Sequence, residues 1–407
     1  MANNILVNGI VEKLALPILR NKLPMVMEAN KDYQEDISSE NARAGGTIFV
    51  KRPPRYIGRD GELMKVESTI ETAVPMTLQL SGVDVSFSQK DLQLSMDDVK
   101  RGGLDHVLEP AMTTIAAKIE AAGTNLYKTV ATSVGTPGTP PTTTTPVSLA
   151  NAYIDSLGGS MGSERIAVLD SFANASMADS LKLVFNPSAE ISKAYMRGRL
   201  GTGYGFDFYS DPAIQSHTAG TYGGTPVVNG AGQTGSSLVT NGWTVTTTTL
   251  NVGDTFTIAG VNSVNPQTRV STGKLQFFVV TQKTVTDGSG NSTIAISPAI
   301  TPSGQFQNVD AAPAAGAAIT VTSGASGQVS RQSLLYDKNA FTFACVPQAL
   351  PNASGVNYAG RASDKMSGLS ISLVQQYDIK TNQMLTRFDV LYAWLATYPE
   401  LAVRLQG

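Results

Sequence analysis

Apolar positions recur at three-and-four spacing most regularly between Leu104 and Leu126. Leu104, Val107, Leu108, Ala111, Met112, Ile115, Ala116, Ile119, Ala122 and Leu126 share one face, which predicts an amphipathic helix over 104–130. At 1.5 Å per residue, about 25 residues would run roughly 38 Å, a spine rather than a filler. Asp105 and Glu109 favour its start; Pro110 suits a first turn and kinks the helix if it lies deeper. A weaker helical spacing, Ile5, Ile10, Val11, Leu14 and Leu19, is interrupted by Pro17 and Pro24. Such an arm has too little apolar area to stand alone and needs a surface to lie on, in its own domain or outside it.

Elsewhere the period is two. Gly45–Val50, Met76–Leu80 and Val83–Phe87 read as strands. Between the first two lies Lys51-Arg52-Pro53-Pro54-Arg55-Tyr56-Ile57-Gly58-Arg59-Asp60-Gly61-Glu62, too polar and too broken by Pro and Gly for a buried element. Two strands joined by this excursion make a protruding loop. Little in the chain looks able to hold it, so a receiver outside the subunit is expected. Residues 133–147 are a Thr/Pro-rich loop. Then come a helix (150–157), a buried strand (165–169), a helix (172–184) and a glycine-punctuated turn into a strand (201–209).

Composition changes sharply from 221 to 330. Only Asp254, Arg269, Lys274, Lys283, Asp287 and Asp310 are charged there, while Thr, Ser, Gly and Val dominate. Alternating runs at 255–258, 275–279, 293–296 and 318–321, with Asp287–Asn291 as a hairpin turn, predict an all-β module of barrel or sandwich type. Mixed character resumes after about 335, so the module reads as inserted into another domain. The 407 residues suffice for two or three domains.

Charge and cysteine content narrow the chemistry. A net charge of −2 gives no overall basic field for tight nucleic-acid binding. One cysteine, Cys345 in the apolar run Phe341–Val346, excludes an internal disulfide framework and reads as a buried thiol. Two histidines, His106 and His217, leave little for metal or acid–base work, and no metal or cofactor is expected. No apolar stretch reaches membrane-spanning length, and the N-terminus resembles no secretory signal.

Three motifs suggest chemistry. Gly158-Gly159-Ser160-Met161-Gly162 is formally G-x-S-x-G, with Asp207 or Asp211 and His217 following, which would suit a serine hydrolase using Ser160. That elbow needs a strand before the serine and a helix after it; here the order is reversed, favouring a helix-to-strand turn. Gly201-x-Gly203-x-Gly205 lacks the spacing of a phosphate loop. Asp287-x-Ser289-x-Asn291 lacks the glycine and glutamate of an EF-hand.

The order of parts resembles the major capsid proteins of tailed phages, and is similar to coat proteins of short-tailed phages with an inserted β-domain. The stretches carrying the resemblance are 46–54, 85–92, 108–120, 205–209 with 217–220, and 387–394. It implies an α+β capsid fold divided as follows: N-terminal arm 1–35; extended loop and peripheral-domain strands 36–95; spine helix 96–132; axial domain 133–220 and 336–382; inserted domain 221–335; peripheral strand and C-terminus 383–407. It also implies a non-enzymatic subunit that self-assembles through hexamers and pentamers into an icosahedral shell around double-stranded DNA. Scaffolding protein and portal would be partners, with room for a decoration protein and only weak DNA contact. The site would be the virion capsid, assembled in the host cytoplasm. Arg52, Arg55, Arg59, Asp60 and Glu62 are the expected inter-subunit contacts. Lys51 and Lys65 also lie in the loop, but no pattern marks a partner for covalent cross-linking. A tail-associated or adhesin-type protein with a β-rich binding module is the competing reading.

Overall fold

The computed structural model describes residues 17, 19, 23–32, 44–59, 61–64, 66–88, 105–159, 164–181, 201–245, 249–351, 356–364 and 368–407. The expectations for Ile5, Ile10, Val11 and Leu14, and for Asp60, Lys65 and Ser160, lie outside them. Among the described residues strand outweighs helix, 45% to 17%, and the chain forms two compact units.

One unit comprises 1–51, 73–123 and 342–395. The expected spine helix is there as Asp105–Thr124, about 30 Å long. Leu108, Ala111, Met112, Ile115, Ala116 and Ile119 are buried at the expected spacing, with Glu109, Thr113 and Thr114 exposed between them. Pro110 sits inside the helix, where it removes a single backbone bond. The helix packs on an antiparallel sheet whose shared member is the 14-residue strand Gln383–Ala396. That strand pairs with Gln79–Ser88 from Gln383↔Ser88 to Tyr392↔Gln79, and with Ser370–Asp378 from Gln383↔Asp378 to Ser372↔Asp389.

Phe341–Val346 explains itself from both sides. Phe343 and Cys345 join the core under the helix, while Ala344 and Val346 face Val50, Met76 and Leu78. A strand covered on both faces reads as a nearly continuous apolar run, here interrupted only by the buried Thr342. Leu23, Val26 and Ala29 also enter the helix core, and Glu120 Oε1 accepts a bond from Val26 N at 3.3 Å. This part of the arm therefore packs in its own unit.

The other unit comprises 52–72, 124–341 and 396–407. Its mixed sheet runs in the order Ser133–Gly135, Ala402–Gln406, Val329–Asp337, Arg165–Leu169, Phe206–Ser210, Thr202–Gly203. Helix Thr145–Ser156 covers it through Val147, Ala150 and Ile154. The hairpin 202–207 turns through Tyr204 and Gly205, both at positive φ, as the glycine-rich run required.

The second layer of this unit is a six-stranded barrel, ordered Ile319–Val321, Thr255–Val264, Ser271–Val280, Ser292–Ile300, Gly235–Trp243, Gly224–Val228. The bridge Val227↔Ala318 and the bond from Val228 N to Ala317 O (2.9 Å) close it. Closure hides the strand edges that so many Thr/Val runs would otherwise expose. Leu238, Trp243, Phe256, Ile258, Phe278, Ile294 and Val309 fill the interior. At the tip Asp287 Oδ1 accepts the backbone N–H groups of Ser289 and Asn291 at 2.8 Å each. Bonds from Asn291 and Ser289 hold this carboxyl below its usual range.

Three expected boundaries are corrected. The edge at 335 falls inside Val329–Asp337, a strand of the mixed sheet. Most of 336–382 belongs with the spine helix rather than with 133–220: Phe341–Val346, Tyr358–Ser363 and Ser370–Asp378 share a sheet with Gln383–Ala396. Conversely, Ala402–Gln406 returns to the mixed sheet. Alternating strands look alike in sequence, and only long-range pairing decides which sheet takes them.

Candidate functional site

Residues 53–71 join the paired strands Thr47–Arg52 and Thr72–Thr77, with Gly58 and Gly61 at positive φ allowing its sharp bends. Its two arms are tied to each other. Ile57 N donates to Glu67 Oε2 at 2.6 Å, and the Tyr56 hydroxyl lies 3.1 Å from Thr69 Oγ1. Arg59 Nη1 donates to the carbonyls of Gly61 and, at 2.9 Å, Leu63, closing the distal turn.

Side chains of the same chain also grip the loop, a correction to the expectation that only an outside receiver could. Arg269, from the barrel turn 265–270, donates from Nη2 to Tyr56 O at 3.0 Å and from Nη1 to Ile57 O at 3.4 Å. Gln305 Nε2 donates to Ser68 O on the returning arm at 2.8 Å. Arg55 Nη2 pairs with Glu400 Oε1 at 2.8 Å, and the Arg52 guanidinium stands 5.5 Å above the Tyr398 ring. Of the residues expected to contact a neighbour, Arg52, Arg55 and Arg59 thus have partners at home. Glu62 is exposed.

Beyond these anchors the loop is apolar and bare. Leu63 is 90% exposed, Met64 82% and Val66 79%. Tyr56, Ile57 and Ile70 extend the patch toward the base. Reading the segment as a charged excursion drew attention from these residues, although the apolar letters at 63, 64 and 66 were the available signal.

The described members of the hydrolase motif each have a structural partner. Gly158 and Gly159 end helix Thr145–Ser156, with Gly158 at φ 99° and Gly159 N bonded to Ile154 O at 2.8 Å. His217 is buried: Nε2 meets Asp254 Oδ1 at 2.8 Å and Nδ1 meets the Tyr127 hydroxyl at 3.3 Å, so both nitrogens are occupied. Asp211 Oδ1 caps Ala213 N at 2.8 Å, and Asp207 bonds Thr202 Oγ1 at 2.5 Å. Asp254 further accepts from Gly220 N, Asn251 N and Ser323 Oγ. Arg404, fully buried, donates to Gly253 O at 2.8 Å and lies 5.7 Å from the Tyr127 ring; burial pushes its pKa down to about 10. This is a structural joint at the root of the barrel. Among the described residues no cluster of His, Cys, Asp and Glu could hold a metal, and no helix is long and apolar enough to cross a membrane.

The whole sequence, residues 1–407, matches the family model described as "P22 coat protein - gene protein 5". No curated protein matches. The chain is similar in structure to the "Capsid of Ralstonia phage GP4" (9% identity, TM-score 0.46, covering 95% of this chain and 91% of that one). A protein of Mycobacterium phage Che8 aligns at 8% identity and TM-score 0.46, over 93% and 89% of the two chains. The "CUS-3 coat protein I-domain" aligns at 30% identity and TM-score 0.19, over 25% of this chain and 96% of that one.

Proposed function

The chain belongs to the P22 coat protein family, matched from end to end, and on that premise we propose how its copies join. It is a major capsid protein: a structural subunit whose copies form a shell. Assembly proceeds through hexamers and pentamers to an icosahedral shell enclosing double-stranded DNA. Scaffolding protein and portal take part, in the host cytoplasm. A net charge of −2 suits a wall that confines DNA without gripping it. The extended loop is the joining element, with Leu63, Met64 and Val66 docking on a neighbouring copy and the arginines and Glu62 framing them.

The exposed tip carries this reading. Three large apolar side chains bared on an internally bonded loop have no stabilising role in the monomer. Burying each against a neighbour contributes about 1.5–3 kcal/mol. Individually modest contacts of this size, repeated at every interface, suit a shell that must correct errors while it grows.

The test is Leu63→Asp, alone and with Met64→Asp. Both variants should keep the circular dichroism of the parent subunit while shells disappear from electron micrographs and sedimentation profiles. Normal particles from the double variant would sink the docking assignment.

A further inference from the structure

Arg269 holds a conformation that its side chain type disfavours. It is one of three described non-glycine residues at positive φ, at 55°, where glycine would sit without strain. The turn around it is bonded at every step. Asn265 Oδ1 accepts from Gln267 N (2.9 Å) and Thr268 N (3.1 Å), while Arg269 N donates to Asn265 O at 2.8 Å. Asn265 Nδ2 donates to Ser156 O at 2.9 Å, fastening the turn to the end of helix Thr145–Ser156. Strain kept at a residue whose guanidinium grips two loop carbonyls points to use of that side chain.

We propose that Arg269 is a positioning residue for shell assembly. The inserted barrel acts as a splint for the extended loop of its own chain, Arg269 fixing the outgoing arm at Tyr56 and Ile57, and Gln305 the returning arm at Ser68. This rests on the docking reading above and adds a cause to it. A loop that samples many directions presents its apolar tip in the docking geometry for only a fraction of the time, and its apparent affinity falls by that fraction. A loop clamped at both arms is presented ready to dock. The barrel's place in assembly is then to aim the loop, through two side chains on its rim.

Backbone preference makes the inference separable from folding. Arg269→Gly removes the clamp and relieves the strained φ, so the barrel should keep or gain thermal stability. The loop should be released: thermolysin cleavage near Leu63 in the unassembled subunit should speed up roughly tenfold, the scale of losing one charge-assisted hydrogen bond. The subunit concentration needed for shells should rise by a similar factor, roughly tenfold. Arg269→Lys, which keeps one charged donor, should recover part of both effects. Combining Arg269→Gly with Gln305→Ala should exceed either alone.

Leu63→Asp run in parallel keeps the two readings apart. If it abolishes shells while Arg269→Gly leaves cleavage and assembly at parent levels, the splint is wrong and the docking loop stands. If Leu63→Asp assembles normally, the docking reading itself fails. Faster cleavage in Arg269→Gly with unchanged assembly would also overturn the positioning role.

Discussion

A single thiol reports on the core beneath the spine helix. Cys345 is fully buried, its sulfur meeting Ser370 N at 3.2 Å, and burial pushes its pKa up to about 12. The folded state therefore holds its proton above the pH where an unfolded cysteine releases it. The sign follows: the stabilising effect is complete below about pH 9 and is lost as pH rises toward 12, at about 1.4 kcal/mol per unit. Urea midpoints measured from pH 8 to 11 should fall more steeply in the parent than in Cys345→Ala, which has no thiol to titrate. Thiol reagents should modify the parent only at its opening rate. Equal slopes, or rapid labelling of folded subunits, would contradict the burial. That Cys345 is a buried core residue was legible from its apolar run alone, because a mostly apolar run of that length has few other places to go. The partners of His217 were not, because Asp254 and Tyr127 lie 37 and 90 residues away and no local pattern links them.

Elements were legible wherever a periodic pattern ran long enough to repeat. The 105–124 helix and four of the six barrel strands stand close to where spacing placed them, whereas Gly224–Val228 and Gly235–Trp243 were not foreseen. Their allegiance was not legible: 341–378 and 402–406 changed sides because pairings between strands distant in the chain, such as Gln332 with Gln406 or Gln79–Ser88 with Gln383–Ala396, leave no trace in period or composition. One consequence of the packing reverses a local rule. Gly123 lies in the last turn of the spine helix, where alanine is ordinarily favoured by about 1 kcal/mol. A Cβ there would stand 2.8 Å from the Trp394 ring and 3.0 Å from Met25 Sδ, and Trp394 is held by its bond from Nε1 to Ile119 O at 3.0 Å. Gly123→Ala should therefore destabilise the subunit, by about 1–3 kcal/mol as overpacking typically does, instead of stabilising it. Thermal denaturation decides the sign, and a raised melting temperature would mean that Trp394 gives way.

For the molecule as a whole, the barrel combines a core of its own with a charged root set in the chain that carries it. Its six strands close on themselves, and the described residues of its core, with those packed against it, lie between Tyr222 and Val321. A fragment of residues 221–328 should therefore fold cooperatively alone. Asp254 is the exception, because it serves both parties. Ser323 and Asn251 lie in the fragment, whereas His217, Gly220 and Arg404 do not. In the full chain the NH2 of an Asp254→Asn amide would face the donor of either His217 or Gly220, which bond different carboxylate oxygens, and the buried Arg404 would lose a nearby anion. Breaking such a pair from one side costs about 3–5 kcal/mol. In the fragment water replaces the missing partners, and the same substitution should cost about 1 kcal/mol, the worth of an ordinary hydrogen bond. Urea denaturation of the two proteins, each with and without the substitution, measures both values. A fragment that does not fold would show that the barrel depends on its host. Equal costs in fragment and chain would show that Asp254 serves the barrel alone. The expected inequality would place the junction's energy at its root, leaving the barrel a self-sufficient body whose rim is free to hold the loop.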